Sequence, residues 1–322
     1  MSRIRTLFLG TPEIARYCLE AMIKDAHFEI VGVVTQPDRP AGRKLLPQPS
    51  PVKALVQPLG SIPVFTPESV NTPEALAQIA ELKAEVAVVV AFGQILRQAF
   101  LDLFPQKVVN VHASLLPHLR GAAPIQRALM NGDTESGVCL QVMVRKLDAG
   151  PLLGLRRVPI NENMNAFELY QQCQVLGAQL IAVDLMDYLR GHLTPIPQDE
   201  TKVTYAPKIE KSEAEVDWQR SAREIHNMVR GLCMGPVAQT RRGGKLLKLH
   251  RTRAVEENDA SPHPGQVWRA TSHSVLVQCG EGSLELLEVQ PESRPKMPIE
   301  AYVRGYPVNA GEIFGPEATI SI

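Results

Sequence analysis

Lys107-Val108-Val109-Asn110-Val111-His112-Ala113-Ser114-Leu115-Leu116-Pro117 is the stretch on which the reading of this chain turns. Its first six residues read as a strand. In a strand side chains alternate, so Asn110 and His112 point to the same face. Upstream, Glu85 to Ala91 is a near-continuous apolar run, the pattern of a central parallel strand covered on both faces. Further back, Thr6-Leu7-Phe8-Leu9 reads as a buried strand ending at Gly10. There Thr11 is placed to cap a helix that opens on Pro12, with Ile14, Cys18, Leu19 and Met22 along one face. Phe28 to Val34 is a second strand, and Glu168 to Leu189 a helix with Leu169, Cys173, Leu180 and Leu185 on its apolar side. Strands separated by helices imply βαβ units, and hence a doubly wound, Rossmann-like parallel sheet of the α/β class.

The texture changes after Arg190. Residues 191–207 are polar and carry Pro195, Pro197 and Pro207, which reads as an exposed linker. A short amphipathic helix over residues 222–232 follows. Short strand candidates come next at 245–249, 265–269, 274–279 and 283–289, spaced as in a small β-barrel. The expected division is therefore 1–190, a linker at 191–207, and 208–322.

Length and composition agree with this division. The 322 residues suggest ~2 domains. Hydrophobic residues make up 44% and charged residues 21%, and the 34 Lys and Arg balance the 34 Asp and Glu. That excludes a disordered chain and a globally basic nucleic-acid coat, though not a local basic patch. The five cysteines, Cys18, Cys139, Cys173, Cys233 and Cys279, form no CxxC pair and no Cys/His cluster at metal spacing, so free thiols in a reducing compartment are expected. The N-terminus has no signal-peptide core, and no apolar run approaches the ~20 residues of a bilayer span. A cytoplasmic protein without membrane association or metal is expected.

Asn110 and His112 lie at the carboxyl end of a parallel strand, where open α/β sheets bind ligands. An amide and an imidazole side by side make two donors for a developing oxyanion. The same pair also fits a turn-capping Asn and a core His. Asp148 sits in the turn Lys146-Leu147-Asp148-Ala149-Gly150-Pro151. A carboxylate beside His112 favours the imidazolium, while an Asp in such a turn is also an ordinary turn former. Gly10-Thr11-Pro12-Glu13 holds a single glycine where a dinucleotide fingerprint needs three, so that reading fails. Pro37 to Lys44 is a rigid basic loop suited to phosphate or a nucleic-acid end. Arg241, Arg242, Lys245, Lys248, Arg251 and Arg253, with His250 among them, form a second basic cluster. Strand alternation could array it as a stripe against a phosphate backbone.

These motifs together resemble the methionyl-tRNA formyltransferase family along nearly the whole chain. The resemblance rests on residues 8–13 (FLGTPE), 35–43 (TQPDRPAGR), 110–117 (NVHASLLP), 120–127 (RGAAPIQR), 147–150 (LDAG), 204–209 (TYAPKI) and Asp217-Trp218. It implies 10-formyltetrahydrofolate as donor, methionyl initiator tRNA as acceptor, and an oligonucleotide-binding-like barrel for the C-terminal domain. It also implies Asn110, His112 and Asp148 as the catalytic set. Folate contacts would come from Ser114, Leu115, Leu116 and Pro117 with Phe92, Gly93 and Ile95, and tRNA contacts from Arg43, Lys44, Lys245 and Lys248. A monomer is implied. The sequence after Arg43, Lys44-Leu45-Leu46-Pro47, differs from relatives that carry another Gly and basic residues. Leu232 to Pro236 lacks their Trp-Pro pair. Formylation of an amino sugar and hydrolysis of the folate formyl group are the rival enzymatic readings. A bare RNA-binding protein is the rival outside catalysis.

Overall fold

The computed structural model describes residues 3–41, 46–257 and 263–315. Arg43 and Lys44 lie outside the described residues. The chain divides into two compact units. One is Met1–Pro124, Ser136–Val158 and Tyr170–Ala206; the other is Ile125–Glu135, Pro159–Leu169 and Pro207–Ile322.

The first unit is built on a seven-stranded sheet. Its strands are β1 (Ile4–Gly10), β2 (Phe28–Val34), β3 (Val64–Phe65), β4 (Val86–Val90), β5 (Val108–His112), β6 (Glu135–Val142) and β7 (Leu152–Pro159), in the spatial order β7-β6-β5-β4-β1-β2-β3. The pairs β1–β2, β2–β3, β1–β4 and β4–β5 are parallel, and β6 runs antiparallel to β5. The chain builds outward from β1 through β2 to β3, then returns to the other side of β1 with β4 and β5. This reversal makes a switch point at the carboxyl ends of β1 and β4, the place where open α/β sheets bind ligands. All five residues of β4 are buried, as its unbroken apolar run requires. The helix Glu13–Lys24 buries Ile14, Ala15, Cys18, Leu19 and Met22. Each of the three larger aliphatic side chains contributes roughly 1.5–3 kcal/mol by leaving water. Thr11 does not cap this helix. Pro12 occupies the cap position without a side-chain bond. The Thr11 hydroxyl instead donates to Phe92 O at 2.9 Å and accepts from Gln36 N at 3.4 Å, so it ties together the loops that follow β1, β2 and β4. The long helix expected at 168–189 is Ala166–Leu180, continued by a π turn at Ile181–Leu185 and by Met186–Leu189. No helix among the described residues is long and apolar enough to cross a membrane.

The stretch read as a linker runs along the first unit with its backbone engaged. Ile196 and Leu152 exchange both backbone bonds at 2.7 and 2.9 Å, and Tyr205–Ala206 pairs in parallel with Arg120–Gly121. Side chains here are mostly exposed, which is why their composition resembles a free linker.

The second unit contains the helix Ala222–Gly231, opened by a Ser221/Glu224 capping box. It also contains an antiparallel sheet of β8 (Gln239–Arg242), β9 (Lys245–Val255), β10 (Val267–Ala270), β11 (Val275–Gln278), β12 (Ser283–Pro291) and β13 (Met297–Pro298). The order is β8-β9-β12-β11-β10, with β13 added to β12. The segment around Ile313-Phe314 joins the two edges. Phe314 bridges Arg242 on β8 and Ile313 bridges Gln266 just before β10, with Gly315 N to Arg241 O at 2.9 Å and Phe314 N to Gly265 O at 2.7 Å. The sheet is thereby curled into a small barrel around Leu247, Leu249, Val267, Val277, Leu284 and Leu286, as expected from the sequence.

Candidate active site

Three loops, after β4, β5 and β6, surround the site; the first two leave the carboxyl ends of parallel strands, and the third follows a strand that runs the other way. Three of the six non-glycine residues with positive φ among the described residues lie there: Ala91 at +45°, Leu119 at +61° and Asp148 at +47°. Such backbone is costly for an L-residue and persists where surroundings hold it, often at functional sites.

On β5, Asn110 lies opposite Gln141 of β6 and His112 opposite Cys139. Directly opposed residues share a face, so Asn110, His112 and Gln141 stand together. His112 is 7% exposed. Its Nε2 is 2.9 Å from Leu119 O. A carbonyl oxygen only accepts, so Nε2 carries a proton and Nδ1 is the ring atom left to gain or lose one. Nδ1 faces Asp148 Oδ2 at 3.7 Å, attracted but beyond hydrogen-bond reach. The half-buried amide of Asn110 bonds to no described residue. One polar group and one ring nitrogen are therefore open toward a ligand, and a carboxylate is set beside the ring.

Asp148 is aimed by two donors. Gly121 N donates to its Oδ2 at 2.9 Å, and Gln141 Nε2 donates to its Oδ1 at 3.0 Å. Gly121 sits at φ +124°, and an added Cβ there would lie 2.7 Å from Ala206 O. Behind the carboxylate, Gln198 Nε2 donates to Asp148 O at 2.8 Å and Gly150 O at 2.7 Å. Its Oε1 accepts from Arg120 Nε at 3.1 Å and Nη2 at 2.8 Å. Arg120 is fully buried. It reaches Glu200 Oε1 at 2.7 Å, and Lys146 Nζ meets Glu200 Oε2 at 2.5 Å. The Arg120 guanidinium first, and Lys146 with it, hold the Glu200 carboxyl well below its ordinary value, at about 2.

The structure thus brings Asn110, His112 and Asp148 together. Gly93 (φ +87°) and Ile95, 80% exposed, lie on the loop after β4, while the Phe92 side chain is buried beneath it. In the loop after β5, Leu115 and Pro117 are half-buried and Leu116 is buried. Ser114 is buried too, its hydroxyl donating to His118 O at 2.6 Å. The basic cluster is divided. Arg242 pairs with Glu312 at 2.8 Å, Arg253 pairs with Glu285, and Arg241 donates to Gly244 O. Lys245 is exposed and Lys248 half-buried, three residues apart on β9, so they occupy opposite strand faces rather than one stripe. Sequence reasoning passed over Gln141, Gln198 and the role of Arg120. The register opposite Asn110 marks Gln141 once the sheet is known, but no local pattern marks Gln198. Burial pushes the thiols of Cys18, Cys139, Cys173 and Cys279 up to about 12, which leaves them inert. No trio of His, Cys, Asp or Glu among the described residues is arranged to hold a metal ion.

The family described as formyl transferase matches residues 2–184, and the one described as formyl transferase, C-terminal domain, matches residues 208–307. The methionyl-tRNA formyltransferase of Bdellovibrio bacteriovorus is 52% identical over 318 residues, covering 98% of this chain and 100% of its own. That of Pelobacter propionicus is 43% identical over 321 residues, covering 99% and 98%. Among solved structures, an N-formyltransferase from Helicobacter canadensis in complex with folinic acid and dTDP-3-aminofucose matches with a TM-score of 0.67 at 19% identity, over 90% of this chain and 100% of that one. HypX from Aquifex aeolicus, in complex with tetrahydrofolic acid, matches with a TM-score of 0.61 at 19% identity over 94% of this chain; the chain spans about half, 47%, of that protein. At such identities these two structures speak for the fold alone.

Proposed function

This chain belongs to the methionyl-tRNA formyltransferase family, and we propose that it moves the formyl group of 10-formyltetrahydrofolate to the α-amino group of methionine on initiator tRNA, for translation initiation. One observation carries the reading at the level of chemistry: His112, its Nε2 proton spent on Leu119 O, presents Nδ1 beside Asp148 and next to the open amide of Asn110. Acyl transfer to an amine can use this set of groups, two donors for the developing oxyanion and a base for the amine proton.

The neutral amine attacks the formyl carbon. A C–N bond forms as the carbonyl π pair moves onto oxygen. Asn110 and the Nδ1–H of cationic His112 stabilise that charge, and one such donor elsewhere is worth about 2.7–4 kcal/mol. Asp148 stabilises the imidazolium and takes the amine proton, directly or through water. Collapse breaks the bond to the folate N10, which receives a proton in place of the formyl group. The folate lies along the loops after β4 and β5. Gly93, Ile95, Leu115 and Pro117 offer it accessible surface, while Phe92, Ser114 and Leu116 hold those loops in shape. Residues 1–190 form the catalytic domain and 208–322 the tRNA-binding domain, with Lys245 and Lys248 meeting phosphates and Arg43 and Lys44 meeting the acceptor stem. The protein acts in the cytoplasm as a monomer.

The test is transfer of labelled formyl from 10-formyltetrahydrofolate to charged initiator tRNA, with charged elongator tRNA and a nucleotide-linked amino sugar as alternative acceptors. The reading expects fast transfer to the initiator alone. Formylation of the amino sugar in preference, or release of formate without an acceptor, would replace it.

A further inference from the structure

The segment read as a linker delivers one side chain into the site from behind. Gln198 is held on both sides. Ile196 pairs with Leu152 upstream. Downstream, Thr204 accepts from Leu119 N at 2.8 Å and Arg120 N donates to Thr204 O at 2.9 Å. Its two N–H groups go to the carbonyls of Asp148 and Gly150, and its oxygen receives two N–H groups of buried Arg120. Gln198 thereby joins the turn that carries Asp148 to the loop that carries Gly121, whose N–H fixes the Asp148 carboxylate. The turn needs such a tie. Asp148 sits at φ +47°, and Gly150 is pressed so close to β6 that a Cβ would lie 1.6 Å from Val142 O. Released, the two carbonyls would turn to water and Asp148 would relax toward ordinary backbone, swinging its carboxylate off His112.

We propose that Gln198 is a positioning residue for the reaction, gripping the Asp148–Gly150 carbonyls and Arg120 so that the Asp148 carboxylate stands at His112. This rests on the reading of Asp148 as a catalytic residue. The side chain must both donate and accept. Glu would set lone pairs against two carbonyl oxygens, and Lys would set a cation against Arg120.

The test compares Gln198→Glu, which keeps the Arg120 contact and loses the donors, with Gln198→Met, which keeps the volume and loses both. Each is assayed for kcat, for KM of folate and tRNA, and for thermal midpoint. Misplacing a reacting group by about 1 Å costs on the order of 10²-fold, so both variants should lose kcat by that order. Both KM values should stay within about three-fold, and the loss should persist well below the midpoint. In an Asp148→Asn background neither change should lower the residual rate further, because both then act through the same group. Wild-type kcat in both variants overturns the proposal, and so does an undiminished further loss in the Asp148→Asn background. Asp148→Asn alone separates the two levels. If it is impaired while the Gln198 variants are normal, only the positioning role falls; if it is fully active, the catalytic reading falls and takes the positioning role with it.

Discussion

Asp148→Asn removes a charge while nearly preserving a shape. The carboxylate accepts from Gly121 N at 2.9 Å and from Gln141 Nε2 at 3.0 Å. An Asn can keep its oxygen toward Gly121 and turn its NH2 toward Gln141. Gln141 must then reverse its own amide, which gives up only the long 3.4 Å contact with Gln198. That rearrangement costs ~1 kcal/mol of stability, so the variant folds. The catalytic loss is larger. Two unit charges 3.7 Å apart interact by roughly 4.5 kcal/mol at an effective dielectric constant of about 20. If Asp148 stabilises His112 as a cation in the transition state, losing that interaction slows formyl transfer by about 10³-fold. The assay is single-turnover transfer to charged initiator tRNA, with folate affinity measured beside it. A rate within ten-fold of wild type, in a variant that melts normally, would refute the counter-charge role.

Four further outcomes follow from the structure. Gly121→Ala sets a methyl 2.7 Å from Ala206 O at φ +124°; the Gly121 donor to Asp148 is worth about 1.5–3 kcal/mol, so the rate should fall by 10-fold or more while the helices and sheets survive by circular dichroism. Glu200 is held at about 2 by Arg120 and Lys146, below its ordinary 4.5. Its stabilisation of residues 196–206 is therefore complete above pH 4.5 and is lost as pH falls toward 2; amide exchange at Thr204 should rise across that window in wild type and show no such step in Glu200→Gln. Neutralising Lys245 and Lys248 should weaken all tRNAs alike and reduce the log–log salt dependence by roughly one unit per lost phosphate contact. Arg242→Ala should instead lower the thermal midpoint, because Arg242 is spent on Glu312 and Tyr302.

What the sequence disclosed was what local pattern carries. The apolar run at 85–91 marks a buried parallel strand because that strand is covered on both faces, and the runs at 28–34 and 107–112 mark further strands of the same sheet. Asn110 and His112 share a face because they stand two positions apart along a strand, with Val111 between them. The family resemblance then singled out Asp148 from an ordinary-looking turn. What stayed hidden depends on register and on distant pairing. Gln141 matters because it stands opposite Asn110 across an antiparallel pair, which no residue spacing encodes. Gln198 acts 50 residues from Asp148. The 191–207 stretch reads as an exposed linker because its composition is polar and Pro-rich, and composition does not report that its backbone and the side chains of Gln198, Glu200 and Thr204 are bonded to distant residues. Thr11 has every feature of a helix cap, yet its hydroxyl is taken by Phe92 O. The barrel's closure by residues 312–315 has no periodicity to betray it.

The central claim is that His112, with Nε2 committed to Leu119 O and Nδ1 free toward Asp148 and the substrate, stabilises the charge that forms in formyl transfer. The most direct measurement is the single-turnover rate of formyl transfer to charged initiator tRNA by His112→Ala, set against its affinity for folate. The account predicts a rate lowered by roughly 10²–10³-fold or more with folate affinity nearly unchanged, since the contribution is made in the transition state. A near-normal rate, or a loss wholly explained by weaker folate binding, would contradict it.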